Sequence, residues 1–286
     1  MTDALDFCGS EVREFARDRY LAALFAPAER RADLHALYAF DIEIARIPLL
    51  THEPVAGEVR LQWWREALQG EREEEARANP VTAALSTMLA RSPNVERAPL
   101  IAMLDARTAD LYGDATETVA ALAERAEAIS GAVIRAAIQI LSPDAPSRAM
   151  ELSQPAGFVL GVSEIVRNVA RDASRGKVHL PRDVMARHDV SVEDVVAGRN
   201  AEGLRAVLQD LSAASRERLA SLHALTLEAP AEIGPAILPA MVMPLYLDRV
   251  DRRDFDPFHD VVDVAQWRRQ WAMWRMARRF RSRHRD

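Results

Sequence analysis

Proline marks the edges of this chain's apolar-periodic segments and rarely enters them, a pattern that leaves little room for anything but helices. Apolar residues recur at three- and four-residue spacing, as in Leu61, Trp64 and Leu68, the stripe that one face of an α-helix buries. Ala, Leu, Arg and Glu dominate, the 286 residues include only 11 glycines, and no valine-rich alternating run offers a strand. The spacing predicts an all-α protein. Helices are expected from Gly9 to Phe25, broken at Ala26-Pro27, and from Ala28 to Ile47, stopped by Pro48. A turn-rich connection over 49–57 leads to a helix over 58–69. Asn79-Pro80 and Ser92-Pro93 punctuate the next two helices, the second ending near Gly113. Long helices are expected over 116–141 and 146–172, the latter kinked or broken at Pro155, with Gly157 and Gly161 four apart to allow a close helix crossing. Helices near 201–227, 229–254 and 261–284 complete the chain. There is no internal repeat and no separating linker, so residues 1–286 read as a single domain.

Composition excludes several classes. A net charge of −6 provides no global basic field, so nucleic acid is not an expected partner. One cysteine, Cys8, forbids an intramolecular disulfide and an all-Cys zinc site; it reads as a partly buried thiol near a helix start. Seven histidines show no ligand-like pairing at three- or four-residue spacing, and phosphate-loop, dinucleotide, zincin and nucleophile-elbow motifs are absent. The acidic start MTDALDFCGSEVREF resembles neither a secretory signal nor a transit peptide, which predicts a cytoplasmic protein. The most apolar stretch, Ile233 to Leu247, is interrupted by three prolines and reads as a buried helix.

One stretch is chemically specific. Over 162–184, Glu164, Asn168 and Asp172 fall at i, i+4 and i+8 and share a helix face, beside a row of Arg167, Arg171 and Arg175, with Lys177 following. Oxygen ligands on one stripe and guanidinium groups on the next suit a diphosphate held through Mg²⁺. The bland alternative is a surface ladder of polar pairs that satisfy one another.

The segment RNVARDASRGKVHLP resembles the second aspartate-rich motif of squalene and phytoene synthases, roughly R-D-x-x-x-D-x-x-R-G-R/K-x-Y-L-P. FAPAERRADLHALYAF is similar to the approach to their first motif, and the likeness extends through Arg60, Trp64 and Arg65 over about residues 15 to 250. The resemblance implies an all-helical isoprenoid-synthase-like bundle around a central cavity, in which active members condense two prenyl diphosphates head to head with Mg²⁺. This chain departs from that pattern. Laid on LYAFDIEIARIPLL, the family's first-motif arginine falls on Ile42, its paired aspartates on Ala45 and Arg46, and its last aspartate on Leu49. In the second motif Asn168 replaces the first aspartate, Asp172 remains, and His179 stands for tyrosine. Asp41 and Glu43 lie two apart, about 200° around the helix, and so cannot readily share one metal. Arg46 opposes a dication, with repulsion of about 4 kcal/mol between unit charges at ~4 Å.

The degenerate segment Asp41-Ile42-Glu43-Ile44-Ala45-Arg46-Ile47 resembles that of the family branch containing a mitochondrial complex I assembly factor. The resemblance therefore implies a non-catalytic assembly or scaffold role without cofactor, with a respiratory-complex subunit as partner and room for a prenyl lipid in the cavity. The alternative it leaves open is an active synthase using Mg²⁺, for which Asp172 is the surviving metal ligand. A C-terminal helix with eight arginines carries Trp267, Trp271 and Trp274 on one stripe. Either these tryptophans cap the core, or they make a peripheral contact at the inner face of the membrane.

Overall fold

The computed structural model describes residues 2–51, 53–113 and 115–282. Every regular element among them is helical. The chain opens with α1 (Thr2–Phe15), α2 (Arg17–Ala23), α3 (Ala28–Leu50) and α4 (Pro54–Gln69). It continues through α5 (Glu73–Ala78), α6 (Pro80–Arg91), α7 (Arg97–Tyr112) and α8 (Val119–Ala126). A π-helical turn, Glu127–Gly131, joins α8 to α9 (Ala132–Leu141). Then follow α10 (Ser147–Met150), α11 (Ser153–Ala173), α12 (Arg182–Arg187), α13 (Val192–Val196) and α14 (Ala201–Leu225). A 3₁₀ turn, α15 (Gly234–Met241), α16 (Pro244–Val250) and α17 (Gln266–Ser282) close the chain.

Several boundaries differ from the sequence expectation, each for a local reason. Pro48 lies inside α3 rather than ending it. In the last turn a proline forfeits only one helical hydrogen bond, and Thr51 closes the end by donating its N–H and hydroxyl to the Ile47 carbonyl at 3.1 and 2.8 Å. The first expected helix is two, split at Ala16. Pro54 starts α4 four residues early, because a proline at the first helical position gives up an N–H that would be unpaired anyway. The expected break at Pro155 falls instead at Glu151–Leu152, and Pro155 sits harmlessly in the first turn of α11.

Two helices organise the molecule. α3 packs against α1, α6, α9, α4 and α7, and α11 packs against the π turn, α14, α8 and α15. The crossing of α11 over the π turn needs glycine: a Cβ on Gly157 would meet the Gly131 backbone nitrogen at 2.8 Å, and one on Gly161 would meet Ala126 Cβ at 2.9 Å. The expected partly buried Cys8 is fully buried, and burial together with the charge of Glu11 pushes its thiol up to about 12. The apolar span Ala231–Val250 is long and apolar enough to cross a membrane by composition, yet 78% of it is buried inside the protein, as core.

Candidate functional site: a cationic cavity between two helices

A cavity of about 320 Å³ lies between α3, α7, α8 and α11. From α11, Glu164, Asn168, Arg171 and Asp172 face it, followed by Arg175, Lys177 and His179. The i, i+4, i+8 spacing thus delivers its three oxygen-bearing side chains to one wall. Arg167 departs from the expected row. It lies outside the cavity lining, with its guanidinium 4.8 Å from the Tyr246 ring centroid. Lys177 is held by the turn after α11, where Gly176 adopts φ +73°, and its ammonium donates to the Asp110 carbonyl at 2.9 Å. That bond ties the exit of α11 to the end of α7.

The α3 wall presents Ile42, Ala45, Arg46, Pro48 and Leu49. Asp41 and Glu43 do not line it. Asp41 is buried and paired with Arg19, while an Arg107 nitrogen lies 3.8 Å from its other oxygen. Burial raises its pKa, but the two guanidinium groups outweigh burial and hold the carboxyl below its usual range. Glu43 sits 3.4 Å from Arg46, which also pairs with Glu11 at 2.7 Å and stacks 3.7 Å over the Phe15 ring.

Sequence reasoning missed the middle of this site. Arg107 and Asp110 on α7 pair at 3.1 Å, Arg125 on α8 grips Asp110, and Arg107 reaches Glu164 at 3.7 Å. Arg19, Asp41, Arg107, Asp110 and Arg125 form an alternating ladder across four helices. A signal was present: Arg107 falls in register with Leu100, Met103, Leu104 and Leu111, so it belongs to the buried stripe of α7. A charge there needs a partner. Burial, then the neighbouring Arg107, lowers Arg125 to about 10. Burial likewise lowers Lys177 and His179.

Mg²⁺ asks for near-octahedral oxygen coordination, supplied mainly by carboxylates. Each cavity carboxylate already has a cationic partner: Asp110 has Arg107 and Arg125, Glu164 has Arg107, and Asp172 has Arg171 at 3.2 Å. Among the described residues no three His, Cys, Asp or Glu side chains gather as a metal site. The donor set does not fit a Mg²⁺ cluster.

An all-α bundle around such a cavity is the isoprenoid-synthase fold. It superposes on a dehydrosqualene synthase crystallised with ligand at a TM-score of 0.79, with 19% identity, covering 98% of each chain. The squalene synthase HpnC from Alicyclobacillus acidocaldarius gives 0.72 with 19% identity, over 90% of this chain and 96% of that one. The squalene/phytoene synthase family model matches residues 12–275, and the chain belongs to that family. It is 27% identical over 253 residues to NADH dehydrogenase (ubiquinone) complex I, assembly factor 6, of Mus musculus, covering 88% of this chain and 75% of the relative. It is also 30% identical over 208 residues to phytoene synthase 1, chloroplastic, of Arabidopsis thaliana, covering 69% of this chain and 47% of that one.

The C-terminal helix departs from one of its two readings. The tryptophans do not cap the core: Trp267, Trp271 and Trp274 are 69%, 57% and 41% exposed. Trp271 and Trp274 stack at 5.1 Å, and Arg278 lies 4.8 Å from the Trp274 centroid. The buried stripe is Arg269, Met273, Ala277 and Phe280, and Arg269 bonds Asp18 at 3.1 Å and the Tyr246 hydroxyl at 3.0 Å.

Proposed function

We propose that this protein is a non-catalytic member of its family, acting as an assembly or scaffold factor for a respiratory complex of the complex I type. The observation that carries the reading is the α3 wall. The family's first aspartate-rich positions hold Ala45, Arg46 and Leu49, and the nearby Asp41 is sealed between Arg19 and Arg107. Ionising an allylic diphosphate requires metal charge beside the leaving oxygen, and this wall offers none of the ligands. Similarity to complex I assembly factor 6 supports the same reading.

The protein works in the cytoplasm at the inner face of the membrane. The exposed tryptophan stripe and its arginines support that placement: indole rings favour the headgroup layer, and guanidinium groups favour anionic lipid.

The second reading, an active Mg²⁺-dependent prenyl synthase, is favoured by one observation. Glu164, Asn168 and Asp172 share a stripe that opens to the cavity. Purified protein with Mg²⁺ and farnesyl or geranylgeranyl diphosphate separates the two. The expected result is no diphosphate release above the protein-free control. Robust release that vanishes in Asp172→Ala would overturn the non-catalytic reading. In a host lacking the gene, assembled complex I should fall and be restored equally by the native chain and by Asp172→Ala.

A further inference from the structure

Most large apolar side chains of this protein are buried, and several of those left exposed lie together at one end of the bundle. Val55 and Val59, one turn apart on α4, are each 65% exposed, and Leu50 at the end of α3 is 61% exposed. Leu49 and Phe15 are exposed as well and meet at the cavity rim. Tyr112 joins from the end of α7, where its hydroxyl donates to Glu58 of α4 at 2.7 Å. Close packing sets this arrangement: only residues 51–53 separate α3 from α4, and Gly57 lies against Leu111 of α7. The exposed valines add little to α4 itself, because β-branched side chains are weaker helix formers than Ala, Gln or Glu. A contiguous exposed apolar patch marks a surface that another molecule covers.

The charge around the patch separates the surfaces that can cover it. α17 sets its tryptophans among six arginines and no acid, as contact with an anionic bilayer requires. Here the flanking charges are the exposed carboxylates of Glu53 and Glu58, which anionic lipid repels. Glu58 borders the Val55–Val59 stripe on the Tyr112 side, while Arg60 projects from the opposite side of α4. Arg46, one turn before Leu49 and Leu50, is taken by Glu11 and Glu43 and stacks on Phe15. The described residues also offer no edge strand for a partner to extend. The surface consists of helix ridges, which a second helix fits with side chains at three- and four-residue spacing. We propose that the end of α3 and the start of α4 form a docking face for an amphipathic helix of a partner protein, apolar on one side and flanked by Lys or Arg that meet Glu53 and Glu58. The proposal rests on the scaffold reading and deepens it, giving it a partner-binding surface separate from α17.

The test puts the photo-crosslinker p-benzoylphenylalanine in place of Val59 in the full chain, in its own host, and in place of Val196, an exposed valine of α13, as control. Mass spectrometry should find the probe at 59, and not the one at 196, joined to a segment of another protein that is apolar at three- and four-residue spacing and flanked by Lys or Arg. A synthetic peptide of that segment should bind the purified native chain in calorimetry. The double variant Val55→Glu, Val59→Glu should weaken it at least about tenfold, as charge placed at an interface centre does. Both valines face solvent, so circular dichroism and co-sedimentation with anionic vesicles should be unchanged in that variant. A cross-link from 59 to phospholipid, to a second copy of the chain or to an acidic segment would overturn the proposal. So would no cross-link at all, the same cross-link from 196, or peptide binding that the double variant leaves undiminished. Complex I assembly in the host lacking the gene separates the two readings. Restoration by the native chain but not by the double variant supports both. Equal restoration by the two sinks only the docking face, whereas failure of the native chain to restore assembly sinks the scaffold reading and the docking face with it.

Discussion

The two helices that flank the cavity dispose of their charge in opposite ways. α3 turns its acids away: Asp41 lies inside a ladder of arginines, Glu43 pairs with Arg46, and the cavity meets Ile42, Ala45 and Leu49. α11 keeps Glu164, Asn168 and Asp172 open to the cavity. A family site that works by holding metal between two carboxylate walls needs both. Here one wall has become part of the folded core, and the other still faces solvent. Mutations should therefore register on α3 as stability and on α11 as ligand binding.

The largest effect is expected at Asp41. Asp41→Ala leaves Arg19 and Arg107 without their shared carboxylate, and removing one partner of a buried ion pair costs about 3–5 kcal/mol. Urea unfolding measures it, and a loss below about 1 kcal/mol would mean the ladder is not a structural element. The same pairing predicts an acid limb. The Asp41 carboxyl, ordinarily near 3.8, is held lower in the folded chain. Its stabilisation is therefore complete above about pH 4 and is lost as pH falls through the depressed folded value. Asp41→Asn should lower the plateau and flatten that limb.

Next comes Gly157→Ala, which pushes a methyl into the Gly131 backbone at the π turn and should cost about 1–3 kcal/mol in the same unfolding assay. It sharpens the comparison, since it tests whether α11 is rigid although its charged face is open. Smaller still is Glu164→Gln on the open wall, expected within about 0.5 kcal/mol of the native chain. A large loss there would erase the contrast between the helices. Replacing Trp267, Trp271 and Trp274 together by Ala should likewise leave unfolding almost unchanged, within about 0.5 kcal/mol per site. Its effect should appear in co-sedimentation with anionic vesicles, where the native chain binds and the variant does not.

Much of this was legible in the chain. The three- and four-residue periodicity fixed the fold class, the close glycine crossing and the shared face of Glu164, Asn168 and Asp172. The ladder was not legible. Arg19, Asp41, Arg107, Asp110 and Arg125 come from separate helices, and no local spacing says which will meet. Arg107 could have been flagged by its apolar register, though its partners could not. Arg167 shows the converse: it sits in register with Arg171 and Arg175, yet Tyr246 draws it to another surface.

The resemblance to the family showed that its first aspartate-rich positions carry Ala45, Arg46 and Leu49 here, and by itself the sequence determined which segments are helical and which face each presents. Those are short-range properties, set by side-chain periodicity and by proline's missing donor. Only the tertiary structure decided where the remaining charges go: Asp41 into the core, Arg46 onto Phe15 and Glu11, and the α11 cations into a shared cavity. A buried charge takes whichever partner the packing brings within a few ångströms, and that distance is a property of helix against helix.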